Sequence, residues 1–233
     1  MKIQNAVALV TGANRGLGRA FAKTLLERGA KVYAAARDPE SLGLPGAVPL
    51  RLDVTNAEDV AAAAKAAGDV TLLINNAGIT RPAPLLDAAA IASARAELET
   101  NTLGPLALAQ AFAPILAKNG GGTIVNVLSV LSWGTLPHVP TYSASKAAAW
   151  SFTNALRGEL RPQGTRVIAV HVGYMDTDMA RHIPSGKIDP NDVVKQTLDA
   201  VESGAEEVLA DELSRAVKRG LSQGQYLRGY SQP

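Results

Sequence analysis

The sequence predicts an α/β fold: a single open, doubly wound parallel sheet of about seven strands, with helices on both faces. Two observations predict it. Short apolar runs alternate along the chain with longer alanine-rich stretches of helical period, which is the pattern of strand, crossover helix and parallel strand in succession. The apolar runs are rich in β-branched residues and nearly continuous, as expected for strands covered by helices on both faces.

Seven strands follow from these runs. They are expected at residues 7–11, 31–36, 48–52, 70–75, 123–127, 166–172 and 207–210. The helices between them carry end signals. Gly29 closes the first helix, predicted over residues 19–28. Thr55 and Glu58 form a capping-box pattern, and Asp189 followed by Pro190 opens a later helix.

Length and composition fit one globular domain. The chain has 233 residues, of which 47% are hydrophobic and 19% charged, so it can bury a substantial core. The stretches rich in proline and glycine, at 38–49 and 81–84, are short enough to be connections rather than domain linkers. We therefore expect residues 1–233 to form a single domain.

The charge and residue usage exclude several kinds of partner. The 23 basic and 21 acidic side chains are scattered, with no basic stripe, so nucleic acid is not expected. The chain has no cysteine and three widely spaced histidines, which gives no sign of a metal site. There is no apolar run of membrane-spanning length, and the first residues lack the separate hydrophobic region and cleavage site of a signal peptide, so we expect none. We expect a cytoplasmic protein with no membrane partner.

A glycine-rich loop follows the first strand directly. Gly12, Gly16 and Gly18 lie between this strand and a helical run. Glycine lets the main chain turn tightly and approach a pyrophosphate, whose charge is favoured by the N–H groups and dipole of a helix start. This context predicts a Rossmann-type dinucleotide site. The alternative is a tight turn that merely needs glycine.

Two arginines near this loop favour NADP(H) over NAD(H). The common dinucleotide fingerprint has an acidic residue about 20 positions after its glycines, which binds a ribose 2′-hydroxyl. Here Arg37 follows the second strand instead. Arg37 and Arg15 could pair with a 2′-phosphate, which a carboxylate would repel. The alternative is that both are ordinary solvated charges.

Tyr142 and Lys146 lie four residues apart at the start of an alanine-rich helical stretch, which puts their side chains on one helix face. A phenol has a pKa of about 10, and an adjacent ammonium lowers that pKa by stabilising the phenolate. Tyr142 could then exchange a proton with a substrate oxygen. The pair alone is a weak signal, because it also occurs on many helices as a simple contact.

Taken together, these motifs resemble those of the short-chain dehydrogenase/reductase family over nearly the full length of the chain. In order, they are Thr11-Gly12-x-x-x-Gly16-x-Gly18, Asp53-Val54, Asn75-Asn76-Ala77-Gly78, Asn101, Ser129 and Tyr142-x-x-x-Lys146. The resemblance implies an NADP(H)-dependent enzyme of the alcohol dehydrogenase and carbonyl reductase kind, which acts on a small carbonyl or alcohol substrate.

The resemblance also implies a role for each site residue. Ser129 would orient the carbonyl oxygen, and Tyr142 would act as acid or base. Lys146 would bind the nicotinamide ribose and lower the pKa of the tyrosine, and Asn101 would hold a water in the proton relay. The implied cofactor-binding residues are Gly12, Asn14, Arg15, Gly16, Leu17, Gly18, Arg37, Asp53, Val54, Asn75, Ala77, Gly78, Tyr142, Lys146 and Thr177. A homotetramer or homodimer would form on helices 101–118 and 142–160.

One stretch departs from the family pattern. Where the family often has Pro-Gly after the sixth strand, this chain reads Val172-Gly173, although Thr177 is kept. The substrate loop expected at 178–188 is short, so it should bury few substrate atoms and allow loose selectivity. Residues close in sequence to the site are candidates for the substrate pocket: Trp133, His138, Tyr174, Met175, Met179 and His182.

Two other functions remain as alternatives. A regulator or sensor could bind NADP(H) on the same fold without catalysing a reaction, although the intact Ser129, Tyr142 and Lys146 argue against it. A nucleotide-sugar epimerase or dehydratase can share the Tyr-x-x-x-Lys pair. Those relatives usually have a larger C-terminal substrate domain and a different glycine spacing.

Overall fold

A computed structural model describes residues 1–228. Seven strands form one sheet in the order β3-β2-β1-β4-β5-β6-β7, with every neighbouring pair parallel. The strands are β1 (Val7–Thr11), β2 (Lys31–Ala36), β3 (Val48–Arg51), β4 (Leu72–Asn75), β5 (Gly122–Val127), β6 (Thr165–His171) and β7 (Glu207–Leu209). The predicted doubly wound fold is confirmed. Residues 229–233 of the predicted domain lie outside the described residues.

Helices cover both faces of the sheet. Within residues 1–228 they are α1 (Gly16–Glu27), α2 (Ala57–Ala66), α3 (Ala90–Leu98), α4 (Gly104–Lys118), α5 (Pro140–Leu160), α6 (Pro190–Ser203) and α7 (Glu212–Gly220). Phe21 of α1 and Leu198 of α6 belong to the core on one face. Val60 of α2 and Phe112 of α4 belong to the core on the other. Burial on both faces explains the continuous apolar runs of the strands.

Most predicted element ends lie within one or two residues of those observed. Strand β4 begins two residues later than expected, and α1 begins three residues earlier than its predicted start. The helix ends marked by Gly29 and Asp189 are confirmed. Gly29 has a φ of 84° after the last turn of α1. Asp189 caps α6 by accepting the N–H of Asn191 at 2.8 Å.

The predicted cap of α2 is wrong. Asn56 is the N-cap, and its side chain accepts the N–H of Asp59 at 2.9 Å. The hydroxyl of Thr55 instead donates to Oδ1 of Asp53 at 2.8 Å. Asparagine caps a helix at least as well as threonine, and the neighbouring carboxylate engages the threonine hydroxyl.

The helix predicted to begin at Asn101 has a different form. Helix α3 continues into a π-turn over Glu99–Leu103, which leads into α4. Pro105 has no N–H to donate to the carbonyl of Asn101, as an α-helix would require. The N–H of Gly104 bonds to the carbonyl of Glu99. Such turns are frequent at functional sites, and this one carries Asn101.

The strand order reverses between β1 and β4. The crevice outside the carboxyl ends of strands at such a point is where open α/β sheets bind ligands. None of the helices in residues 1–228 is long and apolar enough to cross a membrane.

Candidate active site

The carboxyl edge of the sheet brings the predicted site residues to one side of the molecule, because parallel strands all end there. The glycine loop follows β1, Arg37 follows β2, and Asp53 and Val54 follow β3. Asn75 ends β4, Ser129 lies two residues after β5, and Thr177 lies in the connection after β6.

Each glycine of the loop lies where a side chain would be strained or would clash. Gly12 and Gly16 have φ values of 64° and 51°. A Cβ on Gly18 would lie 2.2 Å from the carbonyl oxygen of Gly12 and 2.5 Å from Nδ2 of Asn76. No side chain caps the N-terminus of α1, so its first N–H groups and its dipole can face an anion. The loop therefore fits a dinucleotide pyrophosphate.

Thr11 and Asn76 fix this loop to the end of β4. The Thr11 hydroxyl oxygen accepts the N–H groups of Asn76 and Ala77, each at 2.9 Å. Nδ2 of Asn76 donates to the carbonyl of Thr11 at 2.9 Å. Neither residue is among the predicted cofactor-binding residues, although both occur in the motifs. Their role depends on strands adjacent only in space.

The two predicted phosphate-binding arginines lie at the surface. Arg37 is exposed. A hydrogen bond from the Thr55 N–H is the main cause that lowers the pKa of Asp53, and the charge of Arg37 contributes. Arg15 has 71% of its side chain exposed and lies 3.8 Å from Asp178. Exposed pairs of this kind contribute little, so neither arginine is locked into a buried ion pair.

Asn101 ties the segment after β4 to α5. Its Oδ1 accepts the N–H of Ile79 at 2.9 Å, and its Nδ2 donates to the carbonyl of Ile79 at 2.9 Å. Nδ2 also lies 3.0 Å from Oγ of Ser145. A Cβ on Gly78 would lie 3.2 Å from Oδ1 of Asn101 and 3.8 Å from Nζ of Lys146. These residues therefore meet where the motifs predicted.

Ser129 lies close enough to Tyr142 for its hydroxyl to lower the pKa of the tyrosine. Burial of the tyrosine is the larger effect and raises its pKa to about 12, with a further rise from the charge of Glu97. The oxygen of the Ser129 hydroxyl accepts the N–H of Leu131 at 3.1 Å. With Leu131 as donor to this oxygen, the hydroxyl proton can point toward Tyr142 or a ligand.

Lys146 is 5% exposed, and its Nζ donates to the carbonyl of Val127 at 2.9 Å. Burial lowers the pKa of Lys146 to about 8. Its Nζ is 5.8 Å from the ring centre of Tyr142. Lys146 is not among the groups that act on the pKa of Tyr142 in this structure, so the lowering of that pKa by the lysine stays a prediction.

Glu97 is a site neighbour that the sequence reasoning did not identify. It is fully buried, and its Oε1 accepts the N–H of Arg81 at 2.6 Å. Its charge acts on Tyr142. The available signal was its position one helical turn before Asn101, which puts both on one helix face.

Three predicted cofactor residues have side chains in the interior. Nδ2 of Asn75 donates to Asn126 at 2.8 Å. Leu17 is 5% exposed and belongs to the core with α1 and α6. Val54 packs directly against the main chain of Gly104. A Cβ added to Gly104 would lie only 2.8 Å from Cγ2 of Val54. Their side chains therefore contribute to the interior packing around the loop and β4.

The pocket candidates divide into interior and surface residues. Trp133 is buried, stacks on His171 and packs with Val217 of α7, so it is a core residue. Met175 packs against the core. His138 and His182 are exposed. In the described part of the chain, no group of three or more ligating side chains could hold a metal ion.

Comparison with sequences places this geometry among known proteins. The family model described as short chain dehydrogenase matches residues 6–187. Dehydrogenase/reductase SDR family member 7B of Xenopus laevis is 34% identical over an alignment of 203 residues, and the match covers 79% of this chain and 62% of that protein. The chain thus spans less than two thirds of this relative. The 3-oxoacyl-[acyl-carrier-protein] reductase FabG of Vibrio cholerae is 34% identical over 83% of this chain and 88% of its own length.

Solved structures agree. A short chain dehydrogenase from Burkholderia cenocepacia, in complex with NADP, is 46% identical with a TM-score of 0.94, and the match covers 100% of both chains. A short chain dehydrogenase/reductase from Burkholderia phymatum, in complex with NAD, is 27% identical with a TM-score of 0.88, and the match covers 100% of this chain and 99% of that one. The chain belongs to the short-chain dehydrogenase family of oxidoreductases.

Proposed function

We propose that this protein is an NADP(H)-dependent oxidoreductase that interconverts a small carbonyl compound and the corresponding alcohol. The observation that carries the proposal is that Ser129 acts on Tyr142, whose ring centre is 5.8 Å from Nζ of buried Lys146. This group lies at the same edge of the sheet as the glycine loop, so one crevice could hold a dinucleotide and present a substrate oxygen to two hydroxyls.

The cofactor proposal depends on the chemistry of the loop and its arginines. The glycine loop would hold the pyrophosphate. Thr177 lies against this loop, because Cγ2 of Thr177 is 3.4 Å from the position that a Cβ on Gly16 would take. Arg37 and Arg15 would pair with the 2′-phosphate. The two Burkholderia structures hold different cofactors, so family membership alone does not choose between them. When bound, the nicotinamide ring supplies or accepts the hydride.

Ser129 and Tyr142 would act on the substrate oxygen. Carbonyl reduction builds negative charge on that oxygen, and donors held in place stabilise this charge more in the transition state than in the ground state. A tyrosine with a pKa of about 12 is protonated at neutral pH, so it starts as the proton donor that reduction needs.

Lys146 and Asn101 would support this proton transfer. Lys146 uses one donor at Val127, and a protonated amine has two more for the nicotinamide ribose. Asn101 would hold a water in the proton relay. Its side chain is already engaged with Ile79 and Ser145, so its main chain is the part that can take this role.

The substrate is proposed to be a small or aromatic ketone, aldehyde or ketoester. The loop 178–188 is short and anchored near both ends. Oδ1 of Asp176 lies 2.6 Å from Nζ of Lys187, and Met175 and Ile188 form a β-bridge. A short anchored cover buries few substrate atoms, and each substrate methylene in an apolar pocket gives only about 1–3 kcal/mol of discrimination between substrates.

We also propose that the protein acts in the cytoplasm.

The deciding experiment is Tyr142→Phe, which keeps the ring and removes the hydroxyl. We expect kcat for ketone reduction to fall at least about a hundredfold, a typical contribution of general acid catalysis, while the Kd of NADPH changes little. Tyr226→Phe is the control, because Tyr226 is 50% exposed and should leave kcat unchanged. Near-normal turnover of a folded Tyr142→Phe variant would instead favour a protein that binds NADP(H) without using this chemistry.

The substrate class is tested by following NADPH consumption with a panel of small carbonyl compounds. We expect several of them to react. Activity on a single steroid-sized or carrier-bound substrate, with none on small carbonyls, would contradict the proposed substrate class and leave the hydride transfer in place.

A further inference from the structure

His171, at the end of β6, has no role in the mechanism proposed above. It is fully buried. Its ring stacks on Trp133, with ring centres 3.8 Å apart and planes inclined by 20°. Nδ1 of His171 lies 3.1 Å from the main-chain oxygen of Ser129. A buried imidazole is therefore in hydrogen-bonding contact with the main chain of the proposed catalytic serine.

This contact determines which ring nitrogen carries the proton. A carbonyl oxygen only accepts hydrogen bonds, so Nδ1 must be the donor. Nε2 has no hydrogen-bond partner in the described structure and lies 3.9 Å from Oε1 of Glu207. In the other neutral tautomer, the Nδ1 lone pair would face the carbonyl oxygen of Ser129, and both would be acceptors. The buried ring is thus specified as the Nδ1–H tautomer.

The surroundings keep this ring neutral. Burial is the main cause that lowers the pKa of His171, to about 4, and the charges of Lys218, Arg157 and Lys146 add to this. The hydrogen bond to Ser129 acts in the opposite direction. Glu207 also faces the ring, and it pairs with Lys218. A neutral imidazole has a single N–H, and the Ser129 carbonyl receives it.

The main chain around Ser129 is held on both sides. The N–H of Leu128 donates to the carbonyl of Val170 at 2.8 Å, and that of Val130 donates to the carbonyl of Val172 at 3.0 Å. The Ser129 carbonyl also accepts the N–H of Ser132 at 3.0 Å. A carbonyl fixed in this way sets the ψ angle of Ser129 and, with it, the direction of the Cα–Cβ bond from which the hydroxyl extends.

We propose that His171 is a positioning residue for Ser129. Its Nδ1–H holds the Ser129 carbonyl, and this aims the serine hydroxyl at Tyr142 and at the substrate oxygen. The proposal depends on the proposed function, in which Ser129 orients that oxygen. Small displacements of a catalytic group are costly, since an error of about 1 Å can reduce the rate about a hundredfold.

The first test uses the wild-type protein. The chain has three histidines, so ¹⁵N-histidine NMR gives few signals, and His138→Gln and His182→Gln assign the third to His171. We expect a neutral ring with its proton on Nδ1 at pH 7. A proton on Nε2, or a charged ring at this pH, would overturn the proposal. This result does not depend on activity or on how any His171 variant folds.

The second test compares two substitutions of His171. Asparagine places an amide N–H at the same distance along the side chain as Nδ1, whereas leucine fills a similar space with no donor. We expect His171→Leu to lower kcat about tenfold at little-changed KM, and His171→Asn to retain kcat within about threefold. Wild-type kcat in the leucine variant, or equal loss in both, would contradict the proposal. Circular dichroism checks that each variant is folded.

A double-mutant cycle separates positioning of Ser129 from a general effect on packing. In a Ser129→Ala background there is no hydroxyl to aim, so His171→Leu should change kcat by less than about twofold. A further tenfold loss would overturn the proposal. Tyr142→Phe in the same series separates failure of the proposed function from failure of the positioning role. If Tyr142→Phe keeps its turnover, the proposed function is wrong. If Tyr142→Phe loses turnover but the His171 variants do not behave as expected, only the positioning role is wrong.

Discussion

Gly18 and Gly158 show how the same residue type is required at one position and dispensable at another. Gly18 lies where α1 meets the glycine loop, and any Cβ there would overlap main-chain and side-chain atoms. Gly158 lies in α5, and a Cβ there would have no heavy atom within 4 Å apart from its chain neighbours and the main chain of its own helix. In the interior of a helix, glycine is entropically unfavourable relative to alanine.

These surroundings predict opposite effects of one substitution. Gly18→Ala should lower the free energy of unfolding by about 1–3 kcal/mol, as overpacking does, and weaken NADPH binding at least about tenfold through the displaced loop. Gly158→Ala should raise the free energy of unfolding by about 0.5–1 kcal/mol. Urea unfolding and cofactor titration measure both. Wild-type stability and NADPH binding in Gly18→Ala would contradict this prediction and show that the loop can shift to accommodate the added methyl group.

Arg37 is the residue on which the cofactor choice most depends. It is exposed and can offer a bidentate donor to a 2′-phosphate. We expect a higher kcat/KM with NADPH than with NADH, and Arg37→Asp should shift the preference toward NADH by at least about tenfold. Arg161→Asp is the matched control, because Arg161 follows α5 at the opposite edge of the sheet and pairs with Glu206. Equal kcat/KM for both cofactors in the wild type would contradict the assignment.

At the scale of elements, β5, β6 and α7 meet around the stacked rings of Trp133 and His171. Val217 of α7 packs in the same cluster as Trp133. Asp211 joins α7 to the turn after β6, because its Oδ2 accepts the N–H of Gly173 at 2.6 Å, and it also caps the helix through Ser214. The C-terminal part of the chain thereby supports the loops that carry Ser129 and Thr177.

The buried His171 makes this region sensitive to acid. Its pKa falls from 6.5 to about 4 in the folded protein. Between these values the unfolded chain binds a proton that the folded protein does not, so stability decreases as the pH falls from 6.5 toward 4. The loss from this group approaches about 3 kcal/mol. His171→Leu removes it, so its urea-unfolding free energy should fall less than that of the wild type over this range. Parallel losses in both proteins would contradict the assigned pKa.

At the scale of the whole molecule, α3, the π-turn and α5 present apolar side chains to solvent. Ile91, Leu98, Leu103 and Phe152 are 68%, 36%, 42% and 38% exposed. Grouped exposed apolar residues of this kind are typical of protein–protein contacts. They lie on or beside the helices expected to form a homodimer or homotetramer.

We expect light scattering to find an oligomer whose interface includes this surface. Phe152→Asp and Leu103→Asp should shift the protein toward smaller species, because an unpaired charge in an interface is costly. Leu227→Asp is the control, since Leu227 is 78% exposed on the C-terminal segment. A monomeric wild type, or a Phe152→Asp variant with unchanged mass, would contradict this interface.

The sequence by itself determined the fold and the neighbourhood of the site. Strand and helix periods are local properties, and glycine marks its turns through its own backbone freedom. The glycine loop, Arg37 and Asp53 each follow a strand of one parallel sheet, so their meeting at one edge could also be inferred. The common site of Asn101, Ser129, Tyr142 and Lys146 was predicted from the resemblance to the short-chain dehydrogenase/reductase family.

Only the tertiary structure decided the properties that depend on burial and on residues far apart in the chain. Burial raises the pKa of Tyr142 and lowers that of Lys146. His171 contacts Ser129 from 42 positions away. Trp133 lies in the core rather than in a pocket. A local pattern specifies which face of an element is apolar, but distances between elements and the removal of charged groups from water arise only when those elements pack.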